Sequence, residues 1–457
     1  MRATTPDPIL AACDEIDRQT ALIRTEAGGE PTPEPPPYVV VGDGGNLQAA
    51  LDAGGAIVLA ADATFSTSGG YTFTQPGTLL AGEGGNVVHG IGAPALSVPV
   101  RVNDTAIGQL QPTTTHEVAV LLGRNDDAQT TLDQVPRGVR VQALVSTGHR
   151  GKRVLEVNAA EVVIVASDIR DAYDPEGQDS QAICILNTPG PVTVEGGWLE
   201  CASEVILVGG DTMKIPNCRP TGLVFRDLTL TRPIAWKSAG TPKVKNLLEL
   251  KDGHDVLIER LTLSNCWKSG QDGYGFMFTP TRGGSLRNVL VRDCTMRDVG
   301  GIINITGVDS ADPTLPRTQV TMTGGDYQTN PDMGGSQRFC LIGRGPEYFD
   351  IEGLHVAHHG SSFIDCSDKA AIDRLRVVGC TWNYGSYGIR IGGYNHGDNQ
   401  AGIIATIQIE GNTISGAHSS FKSRYPNNTY VGTYAELAAH RRAIEWDDRL
   451  RRARGDY

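Results

Sequence analysis

The chain has 457 residues, of which 39% are hydrophobic and 20% charged, and its formal net charge is −12 at pH 7. These values exclude a disordered or collagen-like chain, and 56 glycines beside only 6% aromatic residues favour tight turns and short strands over packed helices. Because phosphate neutralisation needs clustered cations, we expect no nucleic-acid partner. Apolar runs are too short to cross a bilayer and residues 1–7 show no export signal, so we expect no membrane span and no classical secretion.

The nine cysteines are an odd number, with no C-x-x-C pair and no Cys/His cluster at the spacing of a zinc site. We therefore interpret them as reduced thiols in the core of a protein that folds in a cytoplasm, and we predict no metal site of cysteine and histidine ligands.

Two segments precede the main domain. Residues 7–29 have the pattern of a helix, with Asp7 as N-cap, Pro8 in the first turn and glycines at the end. Such a short helix is marginal alone, so residues 1–29 are predicted to be an anchor or oligomerisation helix that docks on sister chains or in a larger assembly. The proline-rich residues 30–38 form a stiff linker.

An internal repeat dominates the rest of the sequence. Nine ten-residue segments, 26 to 33 residues apart, have apolar residues at the first, third and eighth positions and Gly, Asp or Asn near the middle. They begin at Val162, Val192, Leu223, Val256, Val289, Val320, Phe349, Leu375 and Ile407. Alternating apolar positions with a central bend predict strands that stack into a solenoid, in which charges such as Arg226, Glu259 and Arg292 pair between neighbouring turns.

A second short strand follows each of the later segments, as in Gly275–Phe278 and Ile302–Ile305. Two or more strands per turn of about 30 residues predict an all-β, right-handed parallel β-helix over residues 39–425. The polar segment 434–454 has a helical pattern, so residues 426–457 are interpreted as a C-terminal helical cap or tail that covers the open end.

The entry segment Leu47–Asp52, followed by Gly54–Leu59 and the repeats, resembles the pectate-lyase-like β-helix superfamily over roughly residues 39–420. In that superfamily a short helix caps the N-terminal end of the solenoid. Its members include lyases, hydrolases, epimerases, phage tailspikes and adhesins, so the resemblance is specific for fold and not for function. A tailspike-like member is implied to be a homotrimer.

Outward positions of the second strands form the series Met277, Asn304, Leu341, Asp365 and Arg390. This series places Asp365 beside Arg390, either as an ion pair that joins two turns or as an acid or binding carboxylate next to a cation in a sugar groove.

Three short motifs resemble, in order, those of polygalacturonase-type hydrolases: Gln271-Asp272-Gly273, His358-His359-Gly360 and Ile389-Arg390-Ile391. The resemblance implies Asp272, His359 and Arg390 as catalytic candidates beside Asp365. It departs from the family pattern, because one Asp stands where the family has an adjacent pair and Gly392 stands where Lys is expected.

The candidate substrate-binding residues are aromatic or polar. Tyr274, Tyr387 and Tyr394 fall in predicted bends, where they either stack on sugar rings or pack as lids, and Asn304 and Arg344 complete the set. Asp309, Asp312, Asp365 and Asp368 lie on different turns, so they are more typical of solvated bends than of a Ca²⁺ site. We predict no cofactor, with Ca²⁺ expected only if the protein is a lyase.

Three functional hypotheses remain open. The first, which we favour, is a virion-attached tailspike or tail-fibre-like protein that binds host surface polysaccharide, contacts other virion proteins through its N-terminal helix, and has at most a secondary depolymerase activity. The second is an extracellular polysaccharide lyase or glycoside hydrolase. The third is a purely structural virion decoration protein.

Overall fold

The structure is a computed structural model and describes residues 38–82, 85–240, 242–366, 368, 370–433 and 436–437. The predicted helix over 7–29, the linker up to residue 37 and nearly all of the predicted helix over 434–454 lie outside these residues.

Short strands make up most of the described chain. In chain order they are β1 (Tyr38–Val41), β2 (Ala56–Leu59), β3 (Thr64–Thr67), β4 (Tyr71–Thr72), β5 (Leu79–Gly82), β6 (Val87–Gly90), β7 (Leu96–Val98), β8 (Ala106–Gly108), β9 (Gln111–Thr114), β10 (Val118–Gly123), β11 (Arg140–Gln142), β12 (Val145–Thr147), β13 (Arg153–Asn158), β14 (Val162–Ala172), β15 (Gln181–Ile185), β16 (Val192–Cys201), β17 (Glu204–Val208), β18 (Thr221–Thr231), β19 (Leu248–Leu250), β20 (Gly253–Glu259), β21 (Thr262–Cys266), β22 (Tyr274–Phe278), β23 (Leu286–Arg292), β24 (Thr295–Val299), β25 (Gly301–Thr306), β26 (Gln319–Thr323), β27 (Asp326–Thr329), β28 (Cys340–Gly343), β29 (Tyr348–Glu352), β30 (His355–Ala357), β31 (Ser362–Cys366), β32 (Ile372–Val378), β33 (Thr381–Asn383), β34 (Gly388–Ile391), β35 (Ile404–Glu410), β36 (Thr413–Ser415) and β37 (Thr429–Val431). The described helices are α1 (Leu47–Ala53), α2 (Ala235–Ala239) and α3 (Ser419–Arg424), with 3₁₀ turns at Leu132–Gln134 and Pro331–Met333.

The strands form long parallel sheets that wind as a right-handed parallel β-helix, as predicted. The second sheet has the order β34-β31-β28-β25-β22-β19-β17-β15-β13-β10-β7-β4, and β3, β6 and β9 form a small third sheet. The remaining strands belong to the first sheet. Each turn of the chain, or rung, therefore contributes strands to the first and the second sheet.

The predicted repeat is confirmed residue by residue in the first sheet. The nine segment starts are register partners from each rung to the next, beginning with Val162 and Val192 and ending with Leu375 and Ile407. The fifth residue of every segment has a positive φ, from 51° at Arg260 to 67° at Gly353, which is the bend that the central Gly and Asp residues predicted. The first sheet is therefore folded along one line of left-handed residues.

The core is one continuous hydrophobic column between the sheets, running from Val41 to Phe421. Its later rungs hold stacked rings, with the Phe363 ring centroid 4.7 Å from that of Phe339 and 4.2 Å from that of Trp382. Stacking of like side chains from rung to rung follows from the repeat.

Both ends of the column carry short helices. Helix α1 begins after Asn46, whose Oδ1 accepts a hydrogen bond from the Ala49 N–H at 2.9 Å, and it buries Leu47 and Leu51 in the core. At the other end, α3 places the buried ring of Phe421 edge-on to Trp382. The first sheet extends past residue 425, because β37 pairs with β36.

Two further expectations bear on the described residues. Their cysteines are all free thiols, buried except for the half-buried Cys218. No helix in the described ranges is both long and apolar enough to cross a membrane.

Candidate functional site

The outer face of the second sheet carries one continuous column of side chains, with one residue from each strand. Register partners connect Thr72, Ser97, Leu121, Glu156, Cys184, Leu207, Glu249, Met277, Asn304, Leu341, Asp365 and Arg390. The predicted series from Met277 to Arg390 is thus confirmed as a column. Several of its charged members are nevertheless buried, with Glu156 7% exposed and Glu249 and Asp365 each 2% exposed. Because they point away from the core, the segments that border the sheet must shield them.

An open cleft of about 460 Å³ lies at the N-terminal end of this face. Its floor includes Thr72, Ser97, Leu121 and Glu156, and His116 and Asp126 are among the residues that border it. The Glu156 carboxylate accepts hydrogen bonds from Arg153 Nη1 at 2.5 Å and from Asn158 Nδ2 at 2.9 Å. The cleft has the volume of a small-ligand site and a mixed polar and apolar lining.

A buried charged cluster occupies the middle of the same face. Glu204, at the start of β17, is 1% exposed, and its Oε1 lies 3.6 Å from Lys245 Nζ. Gln181 Nε2 donates to Glu204 Oε2 at 2.8 Å, and Asn246 Nδ2 donates to Glu249 Oε2 at 3.0 Å. Two carboxylates are therefore held on neighbouring rungs in a region shielded from water.

This environment changes the titration of the cluster. Burial and the nearby Glu249 carboxylate raise the pKa of Glu204 to about 7, against the opposing effect of Lys245. The pKa of Lys245 is raised as well, because attraction to Glu204 and Asp179 outweighs burial, which alone would lower it. Glu204 can therefore exchange a proton near neutral pH.

This cluster was not predicted from the sequence. The sequence does contain a signal for it, which is a glutamate next to an apolar run. Glu204 is followed by the apolar residues 205–208, and Glu249 lies between two leucines. Such glutamates occur inside a protein when they are paired or functional.

Asp365 and Arg390 are brought together as predicted. They are register partners, and Arg390 Nη1 lies 3.2 Å from Asp365 Oδ2. A second guanidinium, that of Arg338, approaches the same oxygen at 3.4 Å and was not predicted.

The other two catalytic candidates lie elsewhere. Asp272 and His359 stand at the corner before the second sheet, three rungs or about 14 Å apart along the solenoid. The Asp272 side chain is 46% exposed and 3.8 Å from Lys268 Nζ. His359 is exposed and borders a separate cleft of about 250 Å³ with Arg297 and Asp298. The four candidates do not form one constellation.

The interpretation of Tyr274 as a sugar-stacking residue is wrong. It is 1% exposed and its hydroxyl bonds to Ser336 Oγ at 2.8 Å. Its ring occupies the space left by its register partner Gly301, where an added Cβ would lie 2.6 Å from Tyr274 Cε1. Tyr387 and Tyr394 are 38% and 44% exposed and remain candidates.

The remaining predicted residues lie at the surface or in bends. Asn304 is half-buried in the outward column, and Arg344 is exposed beyond the end of β28. The Asp309 carboxylate accepts hydrogen bonds from the N–H groups of Gly283 and Ala311, at 2.7 and 2.9 Å. Within the described ranges, no group of three or more His, Cys, Asp or Glu residues is placed to hold a metal ion.

Comparisons with known proteins bear on the fold. No family model matches the chain, and no curated protein matches it. Among solved structures, the catalytic domain of a GH87 alpha-1,3-glucanase in complex with nigerose has a TM-score of 0.53 and 12% identity, covering 84% of this chain and 70% of that one. The chain has the right-handed parallel β-helix fold.

Two further similar structures have lower scores. The Streptococcus pneumoniae surface protein and adhesin PfbA has a TM-score of 0.46 and 10% identity, covering 87% of this chain and 99% of that one. The tailspike of Pseudomonas phage phi297 has a TM-score of 0.40 and 12% identity, covering 74% and 73%.

Proposed function

We propose that the protein binds polysaccharide on the exposed parts of the outer face of its second sheet. The observation that carries this proposal is the cleft of about 460 Å³ floored by Thr72, Ser97, Leu121 and Glu156. Neighbouring rungs are about 4.8 Å apart, which is close to the length of one sugar unit, so a column of polar and apolar side chains suits a chain of repeating sugars. The similar glucanase domain, whose complexes contain nigerose and tetrasaccharides, supports the proposal.

A substitution that fills the cleft tests the binding site. We expect Ser97→Trp to weaken polysaccharide binding at least tenfold, because the indole would occupy the floor between Thr72 and Leu121. Thr262→Trp, at an exposed position of the first sheet, is the matched control and should bind as the natural chain does. Binding is measured against a panel of neutral and acidic polysaccharides. Equal polysaccharide binding by both variants would show that the cleft is not the binding site.

The setting that we propose is a virion, with a homotrimeric protein attached to other virion proteins through residues 1–29; an extracellular protein is the alternative. The sequence pattern of residues 7–29 and the stiff linker support attachment. The mass in solution of the full chain, compared with a variant that lacks residues 1–38, tests assembly. A trimer that becomes a monomer on deletion is the expected result, whereas a full chain that is monomeric would contradict the trimer.

Cleavage of the bound glycan is a second candidate function, favoured by the Glu204–Glu249 cluster. A carboxyl group that is protonated near neutral pH can donate a proton to a glycosidic oxygen while a second carboxylate assists. Because Glu204 is only 1% exposed, binding remains the first proposal.

Sugar release from the bound polysaccharide tests cleavage. We expect release to be lost in Glu204→Gln and retained in Glu352→Gln, whose carboxylate is 54% exposed on the first sheet. Asp365→Ala separates the two sites, since the alternative hypothesis from the sequence, that Asp365 is the acid, predicts that release is lost in this variant. Binding without release in every variant would leave an adhesive protein, and neither binding nor release would leave a structural one.

A further inference from the structure

The C-terminal part of the second sheet contains two arginines that share one carboxylate oxygen. Arg390 Nη1 and Arg338 Nη2 lie 3.2 and 3.4 Å from Asp365 Oδ2. These contacts are longer than the 2.7–2.9 Å typical of charge-assisted hydrogen bonds. On the first sheet, by contrast, Arg260 holds Asp227 with two bonds of 2.8 and 2.7 Å. The Asp365 carboxylate thus leaves both guanidiniums incompletely engaged.

The charge of this group is unbalanced. Two guanidiniums and one carboxylate sum to +1 over the three side chains, in a chain whose formal net charge is −12. Arginine does not lose its proton in proteins. The Nε–H groups of Arg338 and Arg390 are buried and have no hydrogen-bond partner among the described residues. Partly exposed guanidiniums that are incompletely paired are the arrangement that binds an anionic group.

The surroundings of the pair are open and aromatic. The side chains of Arg338 and Arg390 are 25% and 28% exposed, so a ligand can reach them. Arg390 Cζ lies 5.3 Å from the ring centroid of Tyr387, which is 38% exposed. Asn304 stands in the same column two rungs from Asp365 and three rungs, or about 14 Å along the axis, from Arg390. A cation, a ring and an amide on the same side of the second sheet match successive parts of a sugar chain.

We propose that Arg338 and Arg390 bind the carboxylate of an acidic sugar, with the sugar ring against Tyr387. This inference rests on the proposed function and specifies its substrate class as an acidic polysaccharide. Each arginine presents a planar edge of N–H donors that fits a carboxylate, and Asp365 keeps the two guanidiniums close together without neutralising both.

The first experiment measures binding of the full chain to the polysaccharide panel and to carboxyl-reduced forms of each acidic member. We expect the bound polysaccharides to be acidic, carboxyl reduction to weaken binding at least tenfold, and Arg338→Gln and Arg390→Gln to do the same. Arg376→Gln, which removes a guanidinium from the first sheet, is the matched control. Preference for a neutral polysaccharide, or unchanged binding in both variants, would overturn the inference.

A second measurement does not depend on which polysaccharide binds. Glucuronate at millimolar concentration should raise the melting temperature of the natural chain more than glucose does, because a ligand of the native state stabilises it. The difference should vanish in Arg390→Gln. An equal response to both sugars would reject the anion site while leaving the cleft at Ser97 as a binding site. A glucuronate response without any polysaccharide binding would reject the proposed function and retain the anion site.

Discussion

The outer faces of the two main sheets carry similar residues in different surroundings. On the first sheet, Arg226, Arg260 and Arg292 are 39%, 48% and 46% exposed, and Arg226 and Arg260 lie 2.7 Å from carboxylate partners on an adjacent rung. On the second sheet, Lys245, Lys251 and Arg390 are 24%, 25% and 28% exposed.

Three ion pairs of the second face are longer than those of Arg226 and Arg260 on the first face. Lys245, Lys251 and Arg390 lie 3.6, 3.2 and 3.2 Å from Glu204, Glu249 and Asp365. These three pairs are longer than those two pairs of the first face, although Lys245 also lies 2.5 Å from Asp179, and Arg153 and Glu156 form a tight pair of 2.5 Å on the second face. Loosely compensated buried charge is typical of a functional site, and a tight exposed ladder is typical of a structural surface.

The largest effect is expected from removing a buried arginine that supports the second face. Arg232 is 1% exposed and donates to the carbonyl oxygens of Cys201, Ala202, Ser203 and Asn246, around the corner that leads to Glu204. Arg232→Ala leaves these acceptors without their donor in a buried site, so the free energy of unfolding should fall by more than about 3 kcal/mol. Unfolding in denaturant measures the change.

The control for that variant lies on the first face. Arg376 pairs with the half-exposed Glu352 at 2.7 Å, and Arg376→Ala should cost no more than about 1 kcal/mol. Similar losses in the two variants would mean that burial does not distinguish the faces.

A smaller effect is expected from pH. The folded-state pKa of Glu204 is about 7, above its usual value of 4.5, so the folded chain binds the extra proton and loses stability as pH rises from about 4.5 to 7. Glu204→Gln removes this loss. The unfolding free energy of the variant relative to the natural chain should therefore rise across this window by on the order of 3 kcal/mol.

Melting curves between pH 4.5 and 8 check this expectation, with Glu352→Gln as the exposed control. A difference between Glu204→Gln and the natural chain that is constant over the range would contradict a raised pKa and with it the role of Glu204 as an acid.

The features that the sequence predicts well are those that recur in every rung. Inward positions repeat because each rung must bury the same face on the core, so the starts from Val162 to Ile407 align in the structure without a slip. The left-handed bend recurs at the fifth position, including Asp227 and Gly411, because the fold needs it in every rung. The charge ladder of the first face follows from the register alone.

The site was harder to predict because it depends on what lies beside the sheet. The segments between repeats differ in length and have no common pattern. They determine whether an outward residue is exposed to water or buried, as Glu249 is at 2% exposure. Asp365 and Arg390 were predicted as neighbours because they share a column. Arg338 was not predicted as a neighbour of Asp365, because it lies before its strand and outside the column. Tyr274 was misassigned because the space over Gly301, which its ring fills, is visible only in three dimensions.

The smallest effect is expected from a double-mutant cycle on the first face. Arg376→Ala, Glu352→Ala and the double variant isolate the coupling free energy of one exposed pair, which should be about 0.2–1 kcal/mol and should decrease with added salt. The coupling is small because water already solvates both groups and because ordering two long side chains costs entropy. A coupling above about 2 kcal/mol would show that exposed pairs also hold the solenoid together. The tight ladder would then be a source of stability, and the loose pairs of the second face would represent stability given up where a ligand is to bind.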